Sequence, residues 1–293
     1  MNIIKTRKIW FAFSGTLFIL SVAALIAWGL KAGVDFTGGT LLEIKFKNTP
    51  ERAQLQDTLR AANVESQIQL SNTGSVIIRS STISEEQHQN VISKLEEKFG
   101  ELNEERFNSI GPVIGQELKN KSILAVIVVT IMILLYITWS FRHVSRPVPS
   151  FVYGSLVIVS FIHDVIIPLG VFAFLGHYYN LEVEASFIAA ILTILGYSIN
   201  DTIVVLDRVR ENLRRVKGTF EEVVEASVHQ TISRSINTSL TVILALLAIY
   251  FFGGASIKNF ALALMIGVFF GTYSSIFIVS PLLVVWQKWR KLN

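Results

Sequence analysis

Residues 185–206 read ASFIAAILTILGYSINDTIVVL. A helix needs roughly 20 predominantly apolar residues to cross about 30 Å of hydrocarbon, and this run supplies them with a single charge, Asp201, inside it. Five more stretches fit the same template: 9–29, 122–140, 150–175, 236–252 and 259–286. Composition agrees, because 51% hydrophobic and 16% charged residues, with a mean hydropathy of +0.52, are too apolar for a water-soluble chain of this length. The first stretch has basic residues ahead of it, as a signal peptide has. It is long and lacks a small-x-small cleavage site, so it reads as an uncleaved anchor. The expected fold class is an α-helical polytopic membrane protein with six transmembrane helices.

Lysines and arginines in the short segments set the expected orientation. Fourteen lie in 1–8, 141–149, 207–235 and 287–293, whereas the opposite loops, 176–184 and 253–258, hold only Lys258. Both termini are therefore expected in the cytoplasm, with residues 30–121 outside it. This bias accounts for the net charge of +4, and no nucleic-acid partner is needed to explain it. The absence of cysteine excludes disulfides, thiol catalysis and cysteine metal sites.

The chain divides into an anchor (1–29), a domain outside the membrane (30–121) and a five-helix region (122–293). The middle part has ordinary soluble composition and enough length for one small core. Alternation over 41–47 predicts a strand, and 51–62 predicts a helix with Thr49 as N-cap and Pro50 at its first position. Residues 66–71 and 75–80 read as strands joined by a turn at Asn72, Thr73 and Gly74. Ser84 caps a helix that Gly100 stops after Phe99, and 104–110 returns as a last strand. This β-α-β-β-α-β order is that of a small α+β, ferredoxin-like domain, a fold that fixes no chemistry by itself. His88, on a charged helix face, reads as a solvated surface histidine, and no metal site is expected.

Two stretches carry more information. Asp35-Phe36-Thr37-Gly38-Gly39-Thr40 lies between the first span and the first strand, where two glycines permit backbone conformations closed to other residues; it reads as a hinge. Gly196-Tyr197-Ser198-Ile199-Asn200-Asp201-Thr202 places a carboxylate about 9 Å from the midpoint of the fourth span at 1.5 Å per residue. An ionisable residue at such depth is a functional-site hypothesis by default, with Tyr197 at i−4 and Asn200 at i−1 as polar neighbours. The alternative is a neutral acid that hydrogen-bonds helices together.

The DFTGGT stretch, the GYSINDT segment and the DRVREN continuation at 207–212 closely resemble the SecF family, and the resemblance covers essentially the whole chain. It implies membership of the RND superfamily, the bacterial cytoplasmic (inner) membrane, association with SecD and the SecY translocon, a translocating preprotein as cargo and proton-motive force as the drive. It also implies that Arg234, near the start of the fifth span, partners Asp201. Asn237, Thr238 and Thr241 would share the Arg234 face and line a wet path.

The remaining polar groups read more modestly. His163 and Asp164 diverge by about 100° around a helix and form a possible secondary polar site, with an interhelical hydrogen bond favoured over a proton relay. Gly267 and Gly271, followed by Ser274 and Ser275, give a small-residue face for helix packing, expected to meet SecD. Residues 219–233 read as an amphipathic helix lying on membrane lipids at the cytoplasmic interface. The chain has no phosphate-binding GxxxxGK[ST] loop, HExxH, GxSxG or dinucleotide fingerprint, so neither enzyme activity nor a cofactor is expected. Two rival functions remain, half of an RND-type exporter of small molecules or lipids and a passive membrane scaffold for SecD.

Overall fold

A computed structural model describes residues 2–70, 75–140 and 148–292. The turn predicted at Asn72–Gly74 and the basic residues Arg142 and Arg146 lie outside the described residues. The chain forms two compact units, one of Met1–Lys31 with Ala125–Asn293 and one of Ala32–Leu124.

The first long helix, α1 (Arg7–Trp28), belongs to the larger unit. The smaller unit then runs α2 (Val34–Thr37), β1 (Gly39–Phe46), α3 (Arg52–Ala61), β2 (Ser66–Leu70), β3 (Ser75–Ser80), α4 (Glu85–Phe99) and β4 (Leu102–Ile110). Its sheet has the order β2-β3-β1-β4 with every neighbour antiparallel, the arrangement of the split β-α-β pattern. Leu42, Ile44 and Phe46 alternate along β1 and form one core with Leu55 and Leu59 of α3 and Val91 and Leu95 of α4. Ser84 caps α4 in a reciprocal capping box with Gln87, which satisfies two otherwise unpaired backbone donors. At α3 the cap is Glu51, in extended backbone and without a side-chain bond. The helix starts two residues after Pro50 instead of at it.

His88 is not a surface residue. It is 4% exposed, its ring stacks on Phe107 at 3.7 Å, and its nitrogens meet Glu85 at 3.3 Å and Glu104 at 3.1 Å. The ring thus buries its faces while both polar ends remain satisfied.

Asp35, Phe36 and Thr40 of the glycine motif are also buried. Thr37 Oγ1 donates back to the Gly33 carbonyl at 3.1 Å. Gly38 and Gly39 take φ values of 74° and 118°, which L side chains rarely adopt. A Cβ on Gly38 would stand 2.7 Å from Pro112 Cα, at the first position of α5 (Pro112–Ser140), and one on Gly39 would stand 2.8 Å from the Ser80 carbonyl oxygen. The motif is therefore a place where backbones touch.

The larger unit continues with α6 (Ser150–Tyr179), α7 (Ala185–Arg215), α8 (Phe220–Phe252), α9 (Ala255–Ser274), a π-turn at Ser275–Val279 and α10 (Ser280–Leu292). Among the described residues six helical segments are long and apolar enough to cross a membrane. Ile9, Ile19, Leu20 and Ile26 of α1 and Ile131, Met132 and Leu135 of α5 are exposed, as lipid-facing side chains are. The chain is a multi-pass membrane protein.

The fourth span, α7, runs nine residues past its expected end at 206, and three other boundaries differ from the expectation. The second span is the end of a helix that begins ten residues earlier, because Pro112 can open a helix and after it only Gly115 disfavours continuing. The helix expected on the membrane surface at 219–233 is continuous with the fifth span in α8: Thr219 caps it in a box with Glu222, and no glycine or proline interrupts Phe220–Phe252. The sixth span is broken by the π-turn just before Pro281, whose ring and missing N–H disturb the preceding turn.

Candidate functional site: carboxylates in the membrane core

A hydroxyl inside hydrocarbon must find a partner within the bundle. Helices α6, α7, α8 and α9 bring their serines and threonines together around two carboxylates. Asp201 of α7 accepts from Ser235 of α8 at 2.5 Å, through Oδ1, and from Ser275 of the π-turn at 2.8 Å, through Oδ2. One turn along α8, Ser239 accepts from Tyr197 at 3.2 Å and pairs with Thr272 of α9. Ser235, Ser239 and Ser275 are all buried.

Asp164 of α6 is enclosed more tightly and is 1% exposed. Its Oδ1 lies 2.8 Å from His163 Nδ1, and its Oδ2 accepts from Ser274 of α9 at 2.6 Å, from Ser160 at 3.2 Å and from Ser198 of α7. His163 and Asp164, adjacent and expected to diverge, instead bond to each other while Asp164 reaches two other helices.

Glycines make these reaches possible. A Cβ on Gly271 would stand 3.0 Å from Ser198 Cβ, and one on Gly267 would overlap the Ile194 side chain. The small-residue face of α9 expected to meet a SecD chain is filled by α7 of this chain. That close approach lets Ser198 and Ser274 share one carboxylate oxygen.

Arg234 reaches Asp201 only through its charge, from beyond ion-pair distance, and Asn200 makes no hydrogen bond to it among the described residues. Both are exposed, and among the described residues no ion pair within 4.0 Å joins Arg234 to Asp201. Successive residues of a helix point about 100° apart; Ser235 takes the inward direction, so Arg234 takes an outward one. Asn237, Thr238 and Thr241 are exposed on α8 as well, and the two threonines donate at 2.8 Å to carbonyls of their own helix. On α8 the residue that bonds Asp201 is thus Ser235, one position from Arg234, with Ser239 of the same buried stripe bonded to Tyr197 and Thr272 instead.

The sequence reading also missed the N-terminal clamp. Ile3 and Ile4 are fully buried, and their backbone N–H groups donate to the two oxygens of Glu225 at 2.9 and 2.8 Å. Glu221, one turn away on α8, binds Arg7 at 3.3 Å and also Lys288. Glu221 and Glu225, four residues apart on α8, were the available signal. No group of three or more metal-binding side chains occurs among the described residues.

Residues 90–289 match the family described as protein export membrane protein SecD/SecF, C-terminal, and residues 29–50 match the SecD/SecF GG motif. The chain is 42% identical to the protein translocase subunit SecF of Thermobaculum terrenum, covering 98% of this chain and 94% of that one. It is 37% identical to the corresponding protein of Anaerolinea thermophila, covering 99% and 96%. A crystal structure of SecDF, a translocon-associated membrane protein, from Thermus thermophilus superposes with a TM-score of 0.82 at 34% identity. The match covers 98% of this chain, which spans 39% of the SecDF chain. The chain belongs to the SecF family of protein translocase subunits.

Proposed function

We propose that this chain is the SecF half of a two-part accessory complex that uses the proton-motive force, together with a SecD-type partner, to promote export of preproteins through the SecY translocon. It sits in the bacterial cytoplasmic membrane with both termini cytoplasmic and the Ala32–Leu124 unit outside. It acts without enzymatic chemistry or a cofactor. The observation that carries this reading is Asp201, an acid within the fourth span whose partners are hydroxyls on two other helices.

Hydroxyls can turn and a lysine or arginine cannot change sign. With Asp201 ionised, Ser235 and Ser275 both donate to it. When Asp201 takes a proton it becomes a donor itself, and one of those hydroxyls must find another acceptor. The contacts holding α8 and the π-turn to α7 then change, which gives the membrane unit two arrangements. A proton crossing the field delivers about 2.3 kcal/mol per 100 mV, roughly a fiftyfold bias between them.

The exposed stripe of Arg234, Asn237, Thr238 and Thr241 supports a partner on that side of α8. An arginine facing lipid is costly at depth, and a SecD-type membrane half with polar or acidic side chains would cover it. In this reading Arg234 completes the proton site from the partner side, with Tyr197 and Asn200 at its margin. The glycine motif transmits movement between the anchor and β1.

The test is export driven by inverted membrane vesicles at fixed ATP and translocon content, with and without a proton gradient. Asp201→Asn should insert and bind its SecD-type partner, keep ATP-driven export and lose stimulation by the gradient. Asp201→Glu should keep part of it. Full stimulation in Asp201→Asn would overturn the switch and favour the scaffold reading. Transport of lipids or small molecules by the reconstituted complex, in place of preprotein export, would favour the RND-type exporter.

A further inference from the structure

The proposed mechanism leaves one buried ionisable pair unused. Asp164 and His163 of α6 are 1% and 6% exposed. If Asp164 served only to hold helices together, its bonds to Ser160, Ser198 and Ser274 would suffice. A histidine at 163 adds a second ring nitrogen to the apolar interior. That atom, Nε2, is buried and has no hydrogen-bond partner among the described residues. Leaving a buried polar atom unsatisfied costs about 1–3 kcal/mol, which a phenylalanine or leucine at 163 would avoid. Every protonation state has this cost: Nδ1 is committed to Asp164, so Nε2 lacks either a donor or an acceptor.

The surroundings fit a proton group. The ring packs between Phe270 and Tyr273 of α9, with centroids at 6.3 and 6.4 Å. From α9 the titratable group facing it is Tyr273, whose hydroxyl accepts from Ser14 of α1 at 3.0 Å and donates to the Trp10 carbonyl at 3.2 Å. The faces of α7 and α1 offer Ser198 and Ser14, which do not titrate. Asp164 and Asp201 are tied to adjacent positions along two stretches of chain, α7 and the junction of α9 with the π-turn. Ser274 donates to Asp164 and Ser275 to Asp201, while Ser198 stands three residues before Asp201 on α7, a rise of about 4.5 Å.

We infer that His163 and Asp164 together form a second proton-holding site, loaded through the open Nε2 of His163 and linked to Asp201 through α7 and the Ser274–Ser275 step. In the empty state a neutral His163 donates its Nδ1 proton to ionised Asp164. A proton arriving at Nε2 makes an imidazolium. Its Nδ1–H bond then breaks as the proton passes to Asp164 Oδ1, leaving a neutral acid and a neutral imidazole protonated at Nε2. The pair has gained one proton, and the reverse sequence releases it. Uptake at Asp164 Oδ1 turns Oδ2 from a carboxylate into a carbonyl oxygen, which weakens the bonds from Ser198 and Ser274, and release restores them; the helices that also hold Asp201 are so disturbed.

This inference deepens the reading of Asp201 as a proton switch, and its test separates the two. The complex with its SecD-type partner is reconstituted in vesicles, and infrared difference spectra are recorded as the pH is stepped. The wild type should show two buried carboxyl groups that titrate. Asp164→Asn should remove one signal and Asp201→Asn the other. Co-purification of the partner reports assembly. His163→Gln keeps an amide donor for Asp164 Oδ1 but cannot carry a proton, so it should assemble normally and slow gradient-driven proton uptake. If Asp164→Asn fails to assemble, His163→Gln decides alone. An Asp164 signal that never titrates, or wild-type proton uptake in His163→Gln, overturns the second site. Loss of the Asp201 signal's titration with the Asp164 signal intact would instead overturn the switch at Asp201.

Discussion

In the Ala32–Leu124 unit the centre is made of side chains such as Leu42, Ile44, Leu55 and Leu95, and its buried ionisable groups are partnered: both nitrogens of His88 meet carboxylates, and the Glu43 carboxylate accepts from Ser75 at 2.8 Å. The larger unit is arranged the other way round. Asp164 and Asp201 lie in its interior within shells of hydroxyls, while Ile9, Leu20, Ile131 and Leu135 face outward. In water, burying apolar surface stabilises a fold by about 25 cal/mol per Å². In lipid that difference is absent, because the tails are as apolar as the core, and close packing and polar bonds must hold the helices. The comparison predicts that the two units fail by different kinds of substitution.

The largest effect should come from Gly267→Leu. The new side chain would occupy the space of Ile194, and α9 would have to leave α7, taking Ser274 and Ser275 away from both carboxylates. Little folded protein should accumulate in the membrane, whereas Gly254→Leu, where a Cβ meets nothing within 4 Å, should accumulate normally. Equal accumulation of the two variants, read by quantitative blotting of membranes, would break the claim that close approach holds this unit together.

A smaller effect, confined to the other unit, is expected for Gly38→Val. The substitution forces a branched residue to a φ of 74° and sets its Cβ against the Pro112 backbone. Strain and overpacking of this kind cost about 2–5 kcal/mol. Hydrogen exchange along β1 should rise in the full-length protein while exchange in α7 stays unchanged. If export falls and β1 protection does not, the motif is a hinge as its sequence suggests. If protection falls as well, its glycines are part of the domain's packing.

Much of this architecture was legible because its signals are local. Six apolar runs, the strand and helix periods of 41–110 and the Ser84 cap depend on neighbouring residues only. Helix ends without a strong stop were harder, which is why α5 and α8 run past their expected limits. The orientation of each membrane helix was hardest to read. In a soluble helix an apolar stripe marks the inner face, but around Arg234 in α8 polar residues lie on both faces, so the serines that bond Asp201 and its neighbours could not be told from the outward polar residues, and Arg234 was named from the family resemblance alone. The carboxylates were legible one by one as costly residues in spans. Their serine partners were not, since a lone serine in a span is ordinary and only tertiary packing collects five of them. His88 was missed for the opposite reason: the charged face of its helix suggested solvent, yet Glu85 on that face and Glu104 of β4 are the partners that allow burial against Phe107.

The smallest effect concerns that histidine's neighbour and tests the water-facing half of the comparison. Hydrogen bonds from Gln89 and His88 hold the Glu85 carboxyl below the ordinary glutamate value near 4.5. A group whose value is lowered on folding stabilises the folded state above its unfolded value, and this contribution is lost as the pH falls through the folded value. Glu85 also stands in the first turn of α4, where a negative charge favours the helix. At neutral pH the Glu85→Gln variant should therefore exchange amide hydrogens slightly faster than wild type along α4, and the gap should close in acid below the carboxylate range. Because Glu85 is fully exposed, solvent screens it and added salt should narrow the gap. No comparable salt dependence is expected for the bonds around Asp164, which lie out of reach of solvent ions. A gap at α4 that persists in acid would show that Glu85 acts through packing instead of charge, and that the polar margin of this unit resembles the membrane core more than the comparison allows.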